Sequence, residues 1–264
     1  MSIWQAMVLG VLQGLTEFLP VSSSGHLELG KALFGLQDLD LTFSILVHGA
    51  TALSTIVVFW KDIRSLALGF FDGQNHQARS YIFMIALSMV PAGLVAFTMR
   101  DGLEEQFIGR PDRVGLMLVL TGIILMASQR FSRKSLPLNV PKALGIGLAQ
   151  AFAILPGISR SGSTIGAAIA LGISREEAAR FSFLMALPVI LGATALEMKD
   201  LMEASSPAGG IEGDLLMAYA VGTLMAFVSG VVACRWMVRL VQNTNLNGFA
   251  FYCIAAGIVA FFCF

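Results

Sequence analysis

Four ionisable residues stand inside otherwise apolar stretches of this 264-residue chain: Glu17, His26, His48 and Arg160. A charge at membrane depth is costly, so such residues are functional candidates by default. Glu17 and His26 bracket the interruption Pro20-Val21-Ser22-Ser23-Ser24-Gly25, and Arg160 lies within Pro156-Gly157-Ile158-Ser159-Arg160-Ser161-Gly162. If the two interruptions meet, Glu17, His26 and Arg160 share one pocket with the hydroxyls of Ser22, Ser23, Ser24, Ser159, Ser161 and Thr164. That set suits a phosphate ester or anhydride. Arg160 offers a planar, permanently charged fork to phosphate oxygens. Helices starting near Ser24 and Ser161 would aim free backbone N–H groups at the same anion, and these two serines also read as N-caps. His26 can move a proton near neutral pH. Glu17 can orient that histidine, act as a base, or hold a divalent cation with Gln13, four residues earlier on the same helical face. The competing reading of Glu17 and Arg160 is a structural ion pair.

The other polar residues read more plainly. His48, in the middle of a span, is expected to be packed or to line a pocket. Glu28 and Lys31, one helical turn apart, are expected to pair. His76 lies in a polar loop and is expected to be solvated. The three cysteines, Cys234, Cys253 and Cys263, all fall in apolar stretches. Their odd count argues against a disulfide framework and against a metal cluster.

The elements that must position these residues follow from composition. The chain is 56% hydrophobic and 13% charged, where a soluble domain carries about 25% charged residues. The fold class is therefore an all-α integral membrane protein of several spans. The formal net charge is zero, so nothing argues for a nucleic-acid partner. The N-terminus has no basic n-region, and no cleaved signal peptide is expected. Six stretches are long enough to span as transmembrane helices, at 41–60, 81–99, 114–129, 181–196, 215–234 and 247–264. Several are short, so the helices are expected to extend into flanking polar positions. Residues 4–34 and 143–172 are apolar but broken by the two interruptions. Each arm is too short for a hydrocarbon core of ~30 Å. Each region reads as a re-entrant helix-turn-helix pair, with non-helical backbone tolerated because protein or water reaches it. One kinked spanning helix per region is the alternative.

The chain reads as a single membrane domain, 1–264, of two related halves, about 1–135 and 136–264. Leu19-Pro20-Val21-Ser22-Ser23-Ser24-Gly25 recurs, with one insertion, as Leu155-Pro156-Gly157-Ile158-Ser159-Arg160-Ser161-Gly162. Phe43-Ser44-Ile45-Leu46 recurs as Phe181-Ser182-Phe183-Leu184, and Gly49-Ala50-Thr51-Ala52-Leu53 recurs unchanged at 192–196. Three spans per half is an odd number, which makes the second half inverted relative to the first. Under this topology eleven Lys and Arg fall on one side and five on the other, with Arg160 in the broken helix. The positive-inside rule puts the eleven in the cytoplasm. Both termini and the acidic 203–214 loop then face outward.

Gln13 to Glu17, then Pro20 to His26, then Pro156-Gly157-Ile158-Ser159-Arg160-Ser161-Gly162-Ser163-Thr164 resemble, in order and spacing, the marks of the bacterial undecaprenyl-diphosphate phosphatase family, the bacitracin-resistance type of membrane phosphatase. The resemblance extends over essentially the whole chain. It implies hydrolysis of undecaprenyl diphosphate to undecaprenyl phosphate and inorganic phosphate, recycling the lipid carrier for cell-wall synthesis at the bacterial inner (cytoplasmic) membrane. It further implies dependence on a divalent cation, Mg or Ca, and an active site open to the outer face. It makes Glu17, His26 and Arg160 essential and offers Ser23 as nucleophile. Water and His26 are the other nucleophiles to weigh. Two positions depart from the pattern. Gln13 leaves one carboxylate fewer for a metal, and Ser24 stands where some members have threonine. Type-2 phosphatidic acid phosphatases share a similar turn, but their upstream lysine and downstream histidine and aspartate have no counterpart here. A transporter or flippase of polyprenyl phosphate or another anion is the alternative function, favoured by inverted repeats. The expected partners are a polyprenyl diphosphate and membrane lipid. A homodimer is one expectation for an oligomeric state that the sequence leaves open.

Overall fold

The computed structural model describes residues 1–36, 41–107, 109–130, 135–204 and 213–264, and among these the chain forms helices and no strand. The helices in order are α1 (Ile3–Phe18), α2 (Ser23–Leu33), α3 (Leu41–Val58), α4 (Trp60–Phe71), α5 (His76–Phe107), α6 (Pro111–Gln129), α7 (Val140–Phe152), α8 (Arg160–Ala170), α9 (Arg175–Ala204), α10 (Gly213–Asn243) and α11 (Asn247–Cys263). Within α5, α6, α9 and α10, the segments His76–Met99, Pro111–Ser128, Arg175–Asp200 and Gly213–Asn243 are long and apolar enough to cross a membrane. A fifth crossing results if α3 and α4, bent by 75° at their junction, are taken together. The protein is thus a multi-pass membrane protein. Phe71, Phe97 and Phe262 project outward almost bare, as lipid-facing side chains do.

Every apolar stretch marked in the sequence falls on a helix, and α5, α9 and α10 run past both expected ends into polar sequence. The stretch expected at 41–60 stops at Val58, because Lys61, Asp62 and Arg64 cannot continue an apolar span cheaply. They begin the separate helix α4 instead. The regions around Pro20 and Pro156 reverse the chain rather than kink it. Gly30 of α2 lies against Leu9 and Leu12 of α1, and Gly145 of α7 lies against Leu171 at the end of α8. The arms hold 16, 11, 13 and 11 residues, so the longest is about 24 Å.

Small residues bring the helices together. At α1 and α10 a Cβ on Gly10 would lie 2.2 Å from the carbonyl oxygen of Gly222, and at α6 and α11 one on Gly257 would lie 2.4 Å from that of Gly115. Such approaches are how helices associate where lipid removes the hydrophobic drive. α7 packs on α5, and α3 on α9. This packing brings the α1–α2 turn against the α7–α8 turn, where Gly25 faces the Cα of Gly157.

Candidate active site

The two turns carry their polar residues on the first positions of α2 and α8. Ser22 and Ser159 are the N-caps: their hydroxyls accept from Gly25 N–H at 3.3 Å and Gly162 N–H at 3.0 Å. The helices start where expected, within one residue of Ser24 and Ser161, but the caps lie two residues before those serines. Those serines sit inside the first turn and lie 3.3 Å from the hydroxyls of Ser22 and Ser159. The shift follows from the chain reversal, which needs the cap oxygen at the first residue able to meet the N3 N–H.

Ser23 and Arg160 therefore occupy the same place, the first residue of a helix, and both reach Glu17. Ser23 Oγ donates to Glu17 Oε2 at 2.5 Å. Arg160 Nη2 pairs with Glu17 Oε1. Gln13 Nε2 donates to Glu17 Oε2 at 3.0 Å, as the one-turn spacing on α1 allows. Gln13 and Glu17 are buried. Two polar atoms beside this cluster are buried without a partner: Gln13 Oε1 and Arg160 Nη1. An unpaired carbonyl acceptor and an unpaired guanidinium donor, on two residues that both reach Glu17, are costly in isolation and suit a ligand that brings both signs of charge.

The turns are held from elsewhere. Thr121 of α6 donates from Oγ1 to the carbonyl of Gly157 at 2.9 Å and accepts from Ser159 N–H at 3.0 Å. Ser161 Oγ donates to the carbonyl of Leu19 at 3.1 Å, tying one turn to the other. Cys253 of α11 lies on the carbonyl of Pro20. Thr164 Oγ1 donates to the carbonyl of Arg160 and also contacts the hydroxyl of Ser182 on α9. A cavity of about 10 Å³, lined by Glu17, Arg160, Ser161, Thr164, Thr55 and Ser182 among others, has room for about one water.

His26 is the exception. It was expected to share the pocket of Glu17 and Arg160, but its ring turns away to α11. Nδ1 donates to the carbonyl of Ser22 at 2.8 Å, and Nε2 lies 2.7 Å from the hydroxyl of Tyr252. The Ser22 carbonyl, one turn earlier, holds Nδ1, which leaves Nε2 facing Tyr252. Tyr252, Thr121 and Ser182 were missed, because each is an ordinary polar residue in an apolar helix far along the chain. His48 lies half-buried on α3 with Nδ1 donating to the carbonyl of Ser44, within electrostatic reach of Glu17. Lys31 and Glu28 pair as expected, at 2.9 Å. His76 is exposed at the start of α5.

Helical hairpins that meet around a part-buried Glu–Ser–Arg cluster, among helices long and apolar enough to cross a membrane, define a multi-pass membrane protein with an internal polar centre. The chain belongs to the BacA family: the family described as bacitracin resistance protein BacA matches residues 6–259. A relative in Parabacteroides distasonis called undecaprenyl-diphosphatase is 44% identical, with 100% of this chain and 98% of the relative aligned. One of the same name in Bacteroides thetaiotaomicron is 44% identical over 98% of this chain and 97% of its own length. Another in Halothermothrix orenii is 36% identical over the same shares.

Proposed function

We infer that this chain hydrolyses undecaprenyl diphosphate to undecaprenyl phosphate and inorganic phosphate. The observation that carries the inference is the part-buried junction of Glu17, Ser23 and Arg160 at two helix N-termini, in a chain of the BacA family. The diphosphate displaces the Glu17–Arg160 pair. Arg160 already has one unpartnered donor, Nη1, and turns its fork to the phosphate oxygens, joined by the first N–H groups of α2 and α8. Losing its arginine leaves Glu17 with Ser23, whose proton it already accepts, so substrate binding itself switches on the base. Ser23 Oγ attacks the terminal phosphorus as its proton passes to Glu17. The bond from that phosphorus to the bridging oxygen breaks, and undecaprenyl phosphate leaves with the electron pair. Water then attacks the phosphoserine, releasing inorganic phosphate and returning the proton to Ser23.

A divalent cation fits the donors present. Mg²⁺ is commonly bound through one or two carboxylates and substrate phosphates. Glu17 and the unpartnered Oε1 of Gln13 would hold it, with the substrate phosphates completing the shell. Among the described residues no group of three His, Cys, Asp or Glu could bind one without substrate. When bound, the ion would neutralise charge on the phosphoryl oxygens.

The membrane arrangement we propose has six spans, with α1–α2 and α7–α8 as re-entrant pairs and the halves 1–135 and 136–264 inverted relative to each other. The pairing of α1 with α10 and of α7 with α5 supports this, since each hairpin leans on the other half. The charge asymmetry of the loops then opens the site to the outer face of a bacterial cytoplasmic membrane. Purified protein in detergent, where no two sides exist, should release inorganic phosphate from undecaprenyl diphosphate in stoichiometric amount with undecaprenyl phosphate. No release with or without Mg²⁺ or Ca²⁺ would refute the enzyme.

A further inference from the structure

We propose that Tyr252 is a positioning residue for His26, a role resting on the reading that His26 is essential to the proposed hydrolysis. The carbonyl of Ser22 can only accept, so His26 carries its hydrogen on Nδ1 and presents a lone pair at Nε2. The hydroxyl of Tyr252 is the donor that meets this lone pair, at 2.7 Å. The two rings also stack, with centroids 5.5 Å apart and planes inclined by 13°. His26 is 6% exposed and Tyr252 48%, so the phenol ring forms the outer cover of the imidazole. Without the hydroxyl, a buried nitrogen would have no partner.

The placement of Tyr252 is built into the packing. The close crossing at Gly115 and Gly257 sets the height of α11 against α6. Cys253, the next residue, touches the carbonyl of Pro20. The last helix of the chain is thus held on the α1–α2 turn at the level where Tyr252 meets His26. Two fixed bonds, one to each ring nitrogen, select a single tautomer and a single ring orientation.

Tyr252→Phe keeps the stacked ring and removes only the hydroxyl. In ¹⁵N-histidine-labelled protein in detergent, the wild-type His26 signals should show one tautomer, protonated at Nδ1. The variant should keep that tautomer and show a displaced Nε2 signal. Its kcat for phosphate release should fall about tenfold, with KM within about twofold. Unchanged His26 signals would overturn the proposal. So would a rise in kcat, which would make Tyr252 a lock on the ring, or a change confined to KM, which would make it a substrate contact. His26→Ala separates this from the underlying reading. Wild-type turnover in His26→Ala would remove the role of His26 itself, while the ¹⁵N signals still report whether Tyr252 sets the ring.

Discussion

The two turns share a cap and differ in how they close. In the α7–α8 turn the backbone passes through the left-handed region at Gly157, φ +95°, where no side chain is asked to follow. In the α1–α2 turn, shorter by one residue in the repeat alignment, the same demand falls on Ser22, φ +70°. Among the described residues Ser22 is alone among non-glycines in having a positive φ, a backbone strain of about 1–3 kcal/mol. The strained turn carries the reactive groups: Ser23 on Glu17, and His26 with its N–H and ring both on the Ser22 carbonyl. The relaxed turn carries the permanent cation, Arg160. The comparison teaches a division of labour. On the proposed mechanism, one hairpin does chemistry from a tightly constrained start of a helix, and the other offers charge from a turn pinned by Thr121.

The largest way to break this division is at the cation. Arg160→Ala should lower turnover by at least ~10³-fold, about 4 kcal/mol. Arg160→Lys should recover little, because a point charge lacks the fork. Both should remain folded in detergent by size-exclusion chromatography, and near-normal phosphate release by Arg160→Ala would abolish the division. On the chemical side, Ser23→Ala should lower kcat by roughly 10²-fold or more while still binding undecaprenyl diphosphate. Retention of more than about a tenth of wild-type kcat, a loss under ~1.4 kcal/mol, would reduce Ser23 to a hydrogen-bond donor. The smallest effects compare the backbones, read as melting in detergent. Gly157→Ala should destabilise by about 2 kcal/mol, because its Cβ would lie 2.6 Å from both the Val114 carbonyl oxygen and Met117 Cβ. Ser22→Gly should change stability by between zero and about +1 kcal/mol, relief of strain being offset by a weaker cap and a freer unfolded chain. Equal losses at both positions would mean that the turns close alike.

Much of this was legible in the sequence because it rests on local signals. The broken regions, the apolar stretches and the co-location of Gln13, Glu17, Ser23 and Arg160 follow from hydropathy, proline and repeated spacing. The caps were misread because Ser22, Ser24, Ser159 and Ser161 are chemically alike, and only the geometry of the reversal selects the first of each pair. Helix α4 was not marked because 60–71 is amphipathic and carries charge. His26 went to the wrong neighbour because its partner, Tyr252, lies 226 residues away, and no local pattern identifies an aromatic on a lipid-facing helix as a hydrogen-bond donor.

The Glu17–Arg160 pair also sets a timetable. The two residues are 143 positions apart, so a ribosome adding about 5–20 residues per second reaches the arginine on the order of ten seconds after the glutamate. Throughout that interval Glu17 has no arginine partner, and burying its charge at depth is unfavourable. The first hairpin therefore cannot settle into its final seat when it is made. Completion of the chain and assembly of the centre become a single late event, and a product truncated before Arg160 is left with a half-built hairpin that quality control can recognise.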